Sequence, residues 1–366
     1  MSLTPAGPQG IRLMLCDDSA TVRGLLARLL NAEADMRVVA SARDGAEALA
    51  LLRAMPPAER PQVVLLDLEM PVMDGMTALP HLLKLQPAPT VIVASALTQR
   101  GAAAAMAALR AGAADYIPKP GAAGGGIADP AFRNDLLAKL RGWARMRRPA
   151  ASAPPAPATS ARGAAFTLAR PPRAIGIGSS TGGPQALASL VRHLPRGLPV
   201  PLLLVQHMPA GFTTMLADHL HRLGGPPTAE ARDGEALLPG HCYVAPGERH
   251  LLAEATAGGL RAVLSDAAPE NFCRPAVDPM LRSLSAATEG RVLAVILTGM
   301  GQDGLAGCRA VAAAGGAVLA QDEASSVVWG MPGAVAKAGL AKWQGPPEAL
   351  AGQIRQAFGL EKGRAA

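Results

Sequence analysis

The chain has 366 residues, 49% of them apolar and 17% charged, with a formal net charge of +7. That balance excludes a disordered or collagen-like chain, and the length suffices for two domains with cores of their own. Apolar runs such as Leu202–Val205 and Val292–Leu297 are strand-sized and too short to span a bilayer. The first ten residues lack a basic start followed by an apolar run, and Cys16, Cys242, Cys273 and Cys308 show no CxxC or metal-type spacing. A cytoplasmic protein without a secretory leader or membrane insertion is therefore expected.

From residue 11 to residue 120, short apolar strands alternate with helical patterns, as in a parallel sheet wound by helices. The strands are expected at Ile11–Cys16, Arg37–Ala42, Val63–Asp67, Val91–Ser95 and Asp115–Ile117. Helical segments such as Ala20–Leu30 and Ala46–Ala54 fall between them. Asp17 and Asp18 follow the first strand, Asp67 ends the third, Ser95 the fourth, and Lys119 closes the fifth. In an open α/β sheet those strand ends form the site. Three carboxylates meeting there repel one another and favour a divalent cation with oxygen ligands, Mg²⁺ first. A carboxylate nucleophile, a metal, a lysine and a hydroxyl can together accept and hold a phosphoryl group.

The motifs Cys16-Asp17-Asp18-Ser19, Leu66-Asp67-Leu68-Glu69-Met70-Pro71-Val72-Met73-Asp74-Gly75, Ser95-Ala96 and Lys119-Pro120 resemble those of a response-regulator receiver domain. The resemblance implies a flavodoxin-like receiver over residues 1–140, with Asp67 as phospho-acceptor. It further implies Asp17 and Asp18, with Asp67, as Mg²⁺ ligands, Ser95 as switch hydroxyl and Lys119 as phosphate contact.

Between Lys139 and Arg173 lie eight basic residues (Lys139, Arg141, Arg145, Arg147, Arg148, Arg162, Arg170, Arg173) and no acidic one. The positive balance is thus assigned to a connector, residues 141–173, and not to a folded surface. Pro149–Pro157 is rich in proline and alanine, as linkers are. A basic tether can touch lipid, acidic protein or nucleic acid, so a receiver joined to a DNA-binding or scaffolding module is a rival reading. No helix-turn-helix fits the repeated βα pattern that follows.

Residues 174–366 read as a second domain, doubly wound and mainly parallel, with strands expected at Ala174–Gly178, Val200–Gln206, His241–Ala245, Arg291–Thr298 and Ala317–Gln321. The run Ile175-Gly176-Ile177-Gly178-Ser179-Ser180-Thr181-Gly182-Gly183-Pro184 takes a strand through a glycine corner into a helix, where Pro184 suits the first turn. Such a corner holds either a nucleophilic hydroxyl or a phosphate. A dinucleotide site needs an acidic or basic partner about 20 residues on, yet no Asp or Glu occurs between Thr181 and Asp218 and no Walker lysine follows the glycines. The nucleophile reading is better supplied. His207 ends one strand, and Asp303 lies in the glycine-rich turn Thr298-Gly299-Met300-Gly301-Gln302-Asp303-Gly304 after another. Histidine can serve as base, aspartate can hold its tautomer, and backbone N–H groups near Met300 can receive an oxyanion. Spacing does not choose between Ser179 and Ser180. His193, His219, His221 and His241 read as surface or packing residues, and His250 as lining a loop near the site.

The motifs Gly178–Gly183, Gln206-His207-Met208-Pro209 with Gly211-Phe212, Leu297–Gly304 and Gln321–Pro332 resemble those of the chemotaxis protein-glutamate methylesterases/glutamine deamidases, the CheB family. The resemblance implies phosphorylation-activated hydrolysis of glutamate methyl esters, with glutamine deamidation, in bacterial chemotaxis. It makes Ser180 the nucleophile, His207 the base and Asp303 its orienting acid, with Thr181 and the Met300 N–H supporting the oxyanion. No cofactor is expected at this hydrolase site. The implied partners are methyl-accepting chemotaxis receptors as substrate and a chemotaxis histidine kinase as phosphodonor, with recruitment to receptor arrays and no specific nucleic acid. An unphosphorylated receiver is expected to cover Ser180. Ser179 stands where the family has alanine, Gln302 where it has asparagine, and Cys273 and Ala276 where it has histidine and serine.

Overall fold

A computed structural model describes residues 10–119, 126–147 and 170–360. Contacts divide the chain into two compact units, Met1–Pro149 and Ala150–Ala366. The first contains β1 (Ile11–Cys16), α1 (Ala20–Asn31), β2 (Met36–Ala42), α2 (Gly45–Ala54), β3 (Val63–Asp67), α3 (Gly75–Leu83), β4 (Thr90–Ser95), α4 (Gln99–Arg110), β5 (Asp115–Pro118) and α5 (Pro130–Met146). Its five strands are all parallel, in the order β2-β1-β3-β4-β5. This is the flavodoxin-like arrangement, whose switch point lies between β1 and β3. Leu13, Leu15, Val63, Leu65 and Ile92 pack with Leu26 and Leu30 of α1 and Leu136, Leu137 and Leu140 of α5 in one core. Side chains at the helix starts fix the entry of the chain: Ser19, Asp44, Asp74, Thr98 and Asp129 each accept a backbone N–H of the following turn, as N-cap residues do.

The expected end of this unit at residue 140 needs correction, because α5 continues to Met146. Several basic residues assigned to the connector belong to folded surfaces. Lys139 is buried, donates to the Tyr116 carbonyl at 2.8 Å and pairs with Asp135 at 3.0 Å. Arg141 pairs with Glu33 and Asp35, both at 2.8 Å, and Arg147 donates to the Gln62 carbonyl. At the start of the second unit, the Arg170 guanidinium donates to the Glu289 carbonyl and the Arg173 backbone N–H to the Arg291 carbonyl. Apart from Asp135, one turn before Lys139 on α5, these partners are distant in sequence, which is why the run resembles a tether. Pro120, Arg148, Pro149–Pro157 and Arg162 lie outside the described residues.

The second unit contains β6 (Ala174–Ser179), α6 (Gly183–His193), β7 (Leu202–Gln206), α7 (Phe212–His221), β8 (Thr228–Glu230), β9 (Cys242–Val244), β10 (His250–Thr256), β11 (Gly259–Ser265), α8 (Val277–Ala287), β12 (Val292–Ile296), α9 (Leu305–Ala313), β13 (Ala317–Gln321), α10 (Met331–Lys337), β14 (Trp343–Gly345) and α11 (Pro347–Ala357). Seven parallel strands run β14-β13-β12-β6-β7-β9-β8, and β10 and β11 form a separate antiparallel hairpin. From β6 the chain builds outward through β7 and then returns through β12 on the other side. The switch point therefore lies between β6 and β12, where an open α/β sheet leaves its crevice. On one face α8, α9 and α10 bury Met280, Leu281, Leu284, Cys308, Val311, Met331 and Val335 against the central strands. The β6 glycines permit this close packing: a Cβ on Gly178 would stand 2.6 Å from Val277 Cγ1, and one on Gly176 2.5 Å from a Leu281 methyl.

Candidate active site and phosphoryl site

Ser180, His207 and Asp303 follow the carboxyl ends of β6, β7 and β12, three adjacent strands of the sheet. Ser179 is register partner to Gln206, and the His207 N–H donates to the Ser179 carbonyl at 3.1 Å. Ser180 and His207 therefore leave adjacent strand ends together. The Ser180 N–H donates to the Thr298 carbonyl at 3.0 Å, which joins the corner to the glycine turn after β12. A Cβ on Gly299 would lie 2.8 Å from Ser180 Cβ, so glycine there lets the turn approach the serine. Thr298 is itself held: its N–H donates to Gln321 Oε1 and its hydroxyl to the Thr181 carbonyl. Thr181 is buried, and Met300 projects to solvent with 40% of its surface exposed.

The two serines separate by environment. Ser179 is fully buried and its hydroxyl donates to Gln206 Oε1 at 2.7 Å. Ser180 stands partly exposed at the corner. Gln206 also donates Nε2 to the Ser180 and His207 carbonyls at 2.9 and 3.2 Å, so one amide ties the serine and histidine segments together. The Pro184 turn behaves as expected: α6 begins at Gly183 after Gly182 at φ +74°, a left-handed conformation that suits glycine.

His207 Nε2 lies 2.8 Å from Asp303 Oδ2. The other ring nitrogen, Nδ1, faces Cys273 Sγ at 3.5 Å. Burial alone would lower the imidazole pKa; the Asp303 carboxylate on one side and Cys273 on the other overcome it and raise it. Asp303 is buried at the start of α8. Its Oδ2 accepts from the Val277 N–H at 2.6 Å, and its Oδ1 from Asp278 N–H at 3.0 Å, Gly304 N–H at 2.9 Å and Asn271 Nδ2 at 3.1 Å. Burial pushes this carboxyl up, but the His207 contact and the α8 N–H groups hold it below its ordinary value. The neighbouring Asp278 moves the other way, raised by burial and by the charge of Asp303. Asn271 Nδ2 also donates to Asp278 Oδ2 at 2.9 Å, placing a neutral donor between two carboxylates.

His250, expected to line a nearby loop, is buried and pins that loop. Its Nδ1 accepts from the Ala276 N–H and its Nε2 donates to the Ala268 carbonyl, both at 3.1 Å. The sequence shows Gln206 only as part of a motif and gives it no role, and it points neither to Asn271 nor to the Cys273–His207 contact. The position of Gln206 beside Ser179 follows from strand register, but no local pattern announces Asn271 or Cys273.

In the first unit, carboxylate oxygens of Asp17, Asp18 and Asp67 lie within 4.8 Å of one another. This all-oxygen set suits a hard cation such as Mg²⁺. Asp17 and Asp67 are buried, while Asp18 is exposed. Lys119 Nζ lies 2.5 Å from Asp67 and 3.1 Å from Asp17. Burial raises the Asp67 carboxyl, with Lys119 acting against it; for Lys119, burial is outweighed by the two aspartates and the ammonium is strengthened. Ser95 sits at the end of β4, buried, with its hydroxyl donating to the Gly101 carbonyl at 2.6 Å. Among the described residues no helix is long and apolar enough to cross a membrane.

Residues 13–125 match the response regulator receiver domain, and residues 175–354 match the CheB methylesterase. A protein-glutamate methylesterase/protein-glutamine glutaminase of Azospirillum brasilense is 48% identical over 372 residues, covering 96% of this chain and 93% of its own. A homologue of the same description from a group 2 operon of Rhodospirillum centenum is 47% identical, with 92% of each chain covered. The crystal structure of the Thermotoga maritima CheB methylesterase catalytic domain aligns with a TM-score of 0.50 at 39% identity, over 50% of this chain and 98% of that one. With relatives this similar matching it nearly end to end, the chain belongs to the protein-glutamate methylesterase/protein-glutamine glutaminase family, as a hydrolase that carries a receiver domain.

Proposed function

We propose that this protein removes methyl groups from esterified glutamates of methyl-accepting chemotaxis receptors, and deamidates receptor glutamines, when a chemotaxis histidine kinase phosphorylates Asp67. The observation that carries the catalytic part is His207, held by Asp303 through Nε2 and leaving the sheet beside Ser180. With Nε2–H given to Asp303, Nδ1 is the nitrogen available as base. It takes the proton as Ser180 Oγ bonds to the ester carbonyl carbon, and N–H groups at Met300 and Thr181 receive the oxyanion. The tetrahedral adduct expels the methoxy oxygen, which leaves as methanol with the proton from Nδ1. A water then repeats the sequence on the acyl-enzyme, giving glutamate and free Ser180. In the receiver, Asp17, Asp18 and Asp67 would hold Mg²⁺, which offsets the charge of the incoming phosphoryl group when bound. Lys119 contributes a second positive charge at the same oxygens, and Ser95 a hydroxyl.

Cys273 supports a second reading, because its sulfur faces the base nitrogen at 3.5 Å and thiols are strong nucleophiles. Methanol release from methylated receptor membranes separates the two. With Mg²⁺ and a small phosphodonor, Ser180→Ala should lose about 10⁴-fold or more in rate. Ser179→Ala and Cys273→Ala should each stay within about tenfold of the parent, a loss small beside that of a nucleophile. Retained turnover in Ser180→Ala together with its loss in Cys273→Ala would transfer the nucleophile to the thiol.

A further inference from the structure

Between the two residues that touch the triad, the chain projects an aromatic ring into solvent. Glu270 and Cys273 exchange backbone hydrogen bonds of 3.1 and 2.9 Å and close a two-residue turn made of Asn271 and Phe272. Asn271 reaches inward to Asp303 and Cys273 to His207, whereas Phe272 is fully exposed. Both turn residues are left-handed, at φ +52° and +62°, a conformation that favours Asn and Gly and is an outlier for a bulky side chain. The turn is braced from outside. Both guanidinium nitrogens of Arg282 hold the Glu270 carboxylate, at 2.7 and 2.6 Å, and Arg274 donates to the carbonyls of Asp266 and Ala267. The backbone beneath Phe272 is thus braced in a strained conformation, with the ring standing outward next to residues that touch His207 and Asp303. Met300, on the separate turn that packs against Ser180, is also exposed.

We propose that Phe272 is a specificity-determining anchor for the protein substrate, seating an apolar side chain that flanks the esterified glutamate; this rests on the Ser180–His207–Asp303 reading of the site. The family acts on glutamates within proteins, so only the reacting side chain enters the crevice and the polypeptide that bears it remains at the rim. An exposed aromatic on a braced turn beside the base is a suitable first contact there, since such a side chain has only two rotatable angles to fix on binding.

The test compares two substrates of the full, phosphodonor-activated chain: methylated receptor membranes and the small ester N-acetylglutamate γ-methyl ester. Phe272→Ala should lower kcat/KM on the membranes by roughly tenfold, mainly through KM, with a loss on the small ester several-fold smaller. Phe272→Trp should retain most of the parent's preference for the protein. Phe272→Gly should show the same substrate-dependent loss and raise Tm by about 2–4 °C, because glycine accepts the left-handed turn. Equal losses on both substrates would overturn the proposal, as would no loss on the membranes. A gain on both substrates without phosphodonor would also overturn it and make this chain's own receiver the occupant. Ser180→Ala serves as the control: if it still hydrolyses both esters, the active-site reading has failed and not the anchor.

Discussion

His207 meets different chemistry at its two ring nitrogens, and this determines how the enzyme should respond to pH. Asp303 and Cys273 raise the imidazole pKa against the effect of burial, whereas in the proposed mechanism the base must be neutral at Nδ1 to take the Ser180 proton. The neutral fraction grows as pH rises through the folded pKa, so kcat/KM should climb with pH and reach half its limit above the ordinary histidine value of about 6.5. The same shift acts oppositely on stability. Its contribution is complete below about pH 6.5 and is lost as pH rises through the folded pKa. Asp303→Asn should move the acidic limb of the rate profile to lower pH, because the charge that raises the pKa is gone. It should also reduce kcat by roughly 10²–10⁴-fold, because the ring loses its orienting carboxylate. An unshifted limb, measured as kcat/KM against pH with the small ester, would remove Asp303 from this role.

At the scale of elements, the site depends on how closely α8 approaches β6. Val277 and Asp278 donate their N–H groups to Asp303 from the first turn of that helix, and Val277 packs directly over Gly178. Gly178→Ala would place a methyl 2.6 Å from a fully buried, branched side chain. It should cost about 1–3 kcal/mol of stability and lower kcat by shifting the Asp303 cradle; a parent-like Tm and kcat would contradict that packing argument. The central strands were legible in the sequence because strands of a parallel sheet covered on both faces read as continuous apolar runs. Strands β8, β10, β11 and β14 were not, since their sequences alternate apolar with polar or small residues and lack the continuous apolar run of the central strands. The basic α5 was divided between domain and connector because Glu33 and Asp35 must be brought beside it before its charges look structural. Strand ends pointed to the Ser179-Ser180 pair, His207 and Asp303 as candidates, and the inward face of Ser179 became evident only once β6 was packed. Asn271 and Cys273 reach the site through a turn whose path no local pattern encodes.

At the scale of the molecule, two separate α/β units carry two chemistries that the proposed function joins. The first gathers three carboxylates and Lys119 around Asp67; the second gathers serine, imidazole and carboxylate at the switch point of its own sheet. Under the proposed function the half-buried Lys119–Asp67 contact would receive the phosphoryl group, with the Lys119 ammonium following its oxygens. Phosphate contacts that favour one of two states would then set the activity of the second unit. The most direct measurement is the rate of methanol release by the full chain, with and without a small phosphodonor, in the parent and in Asp67→Asn, repeated after chelation of Mg²⁺. The account predicts stimulation in the parent that disappears in Asp67→Asn and on chelation. Equal stimulation of Asp67→Asn would contradict it.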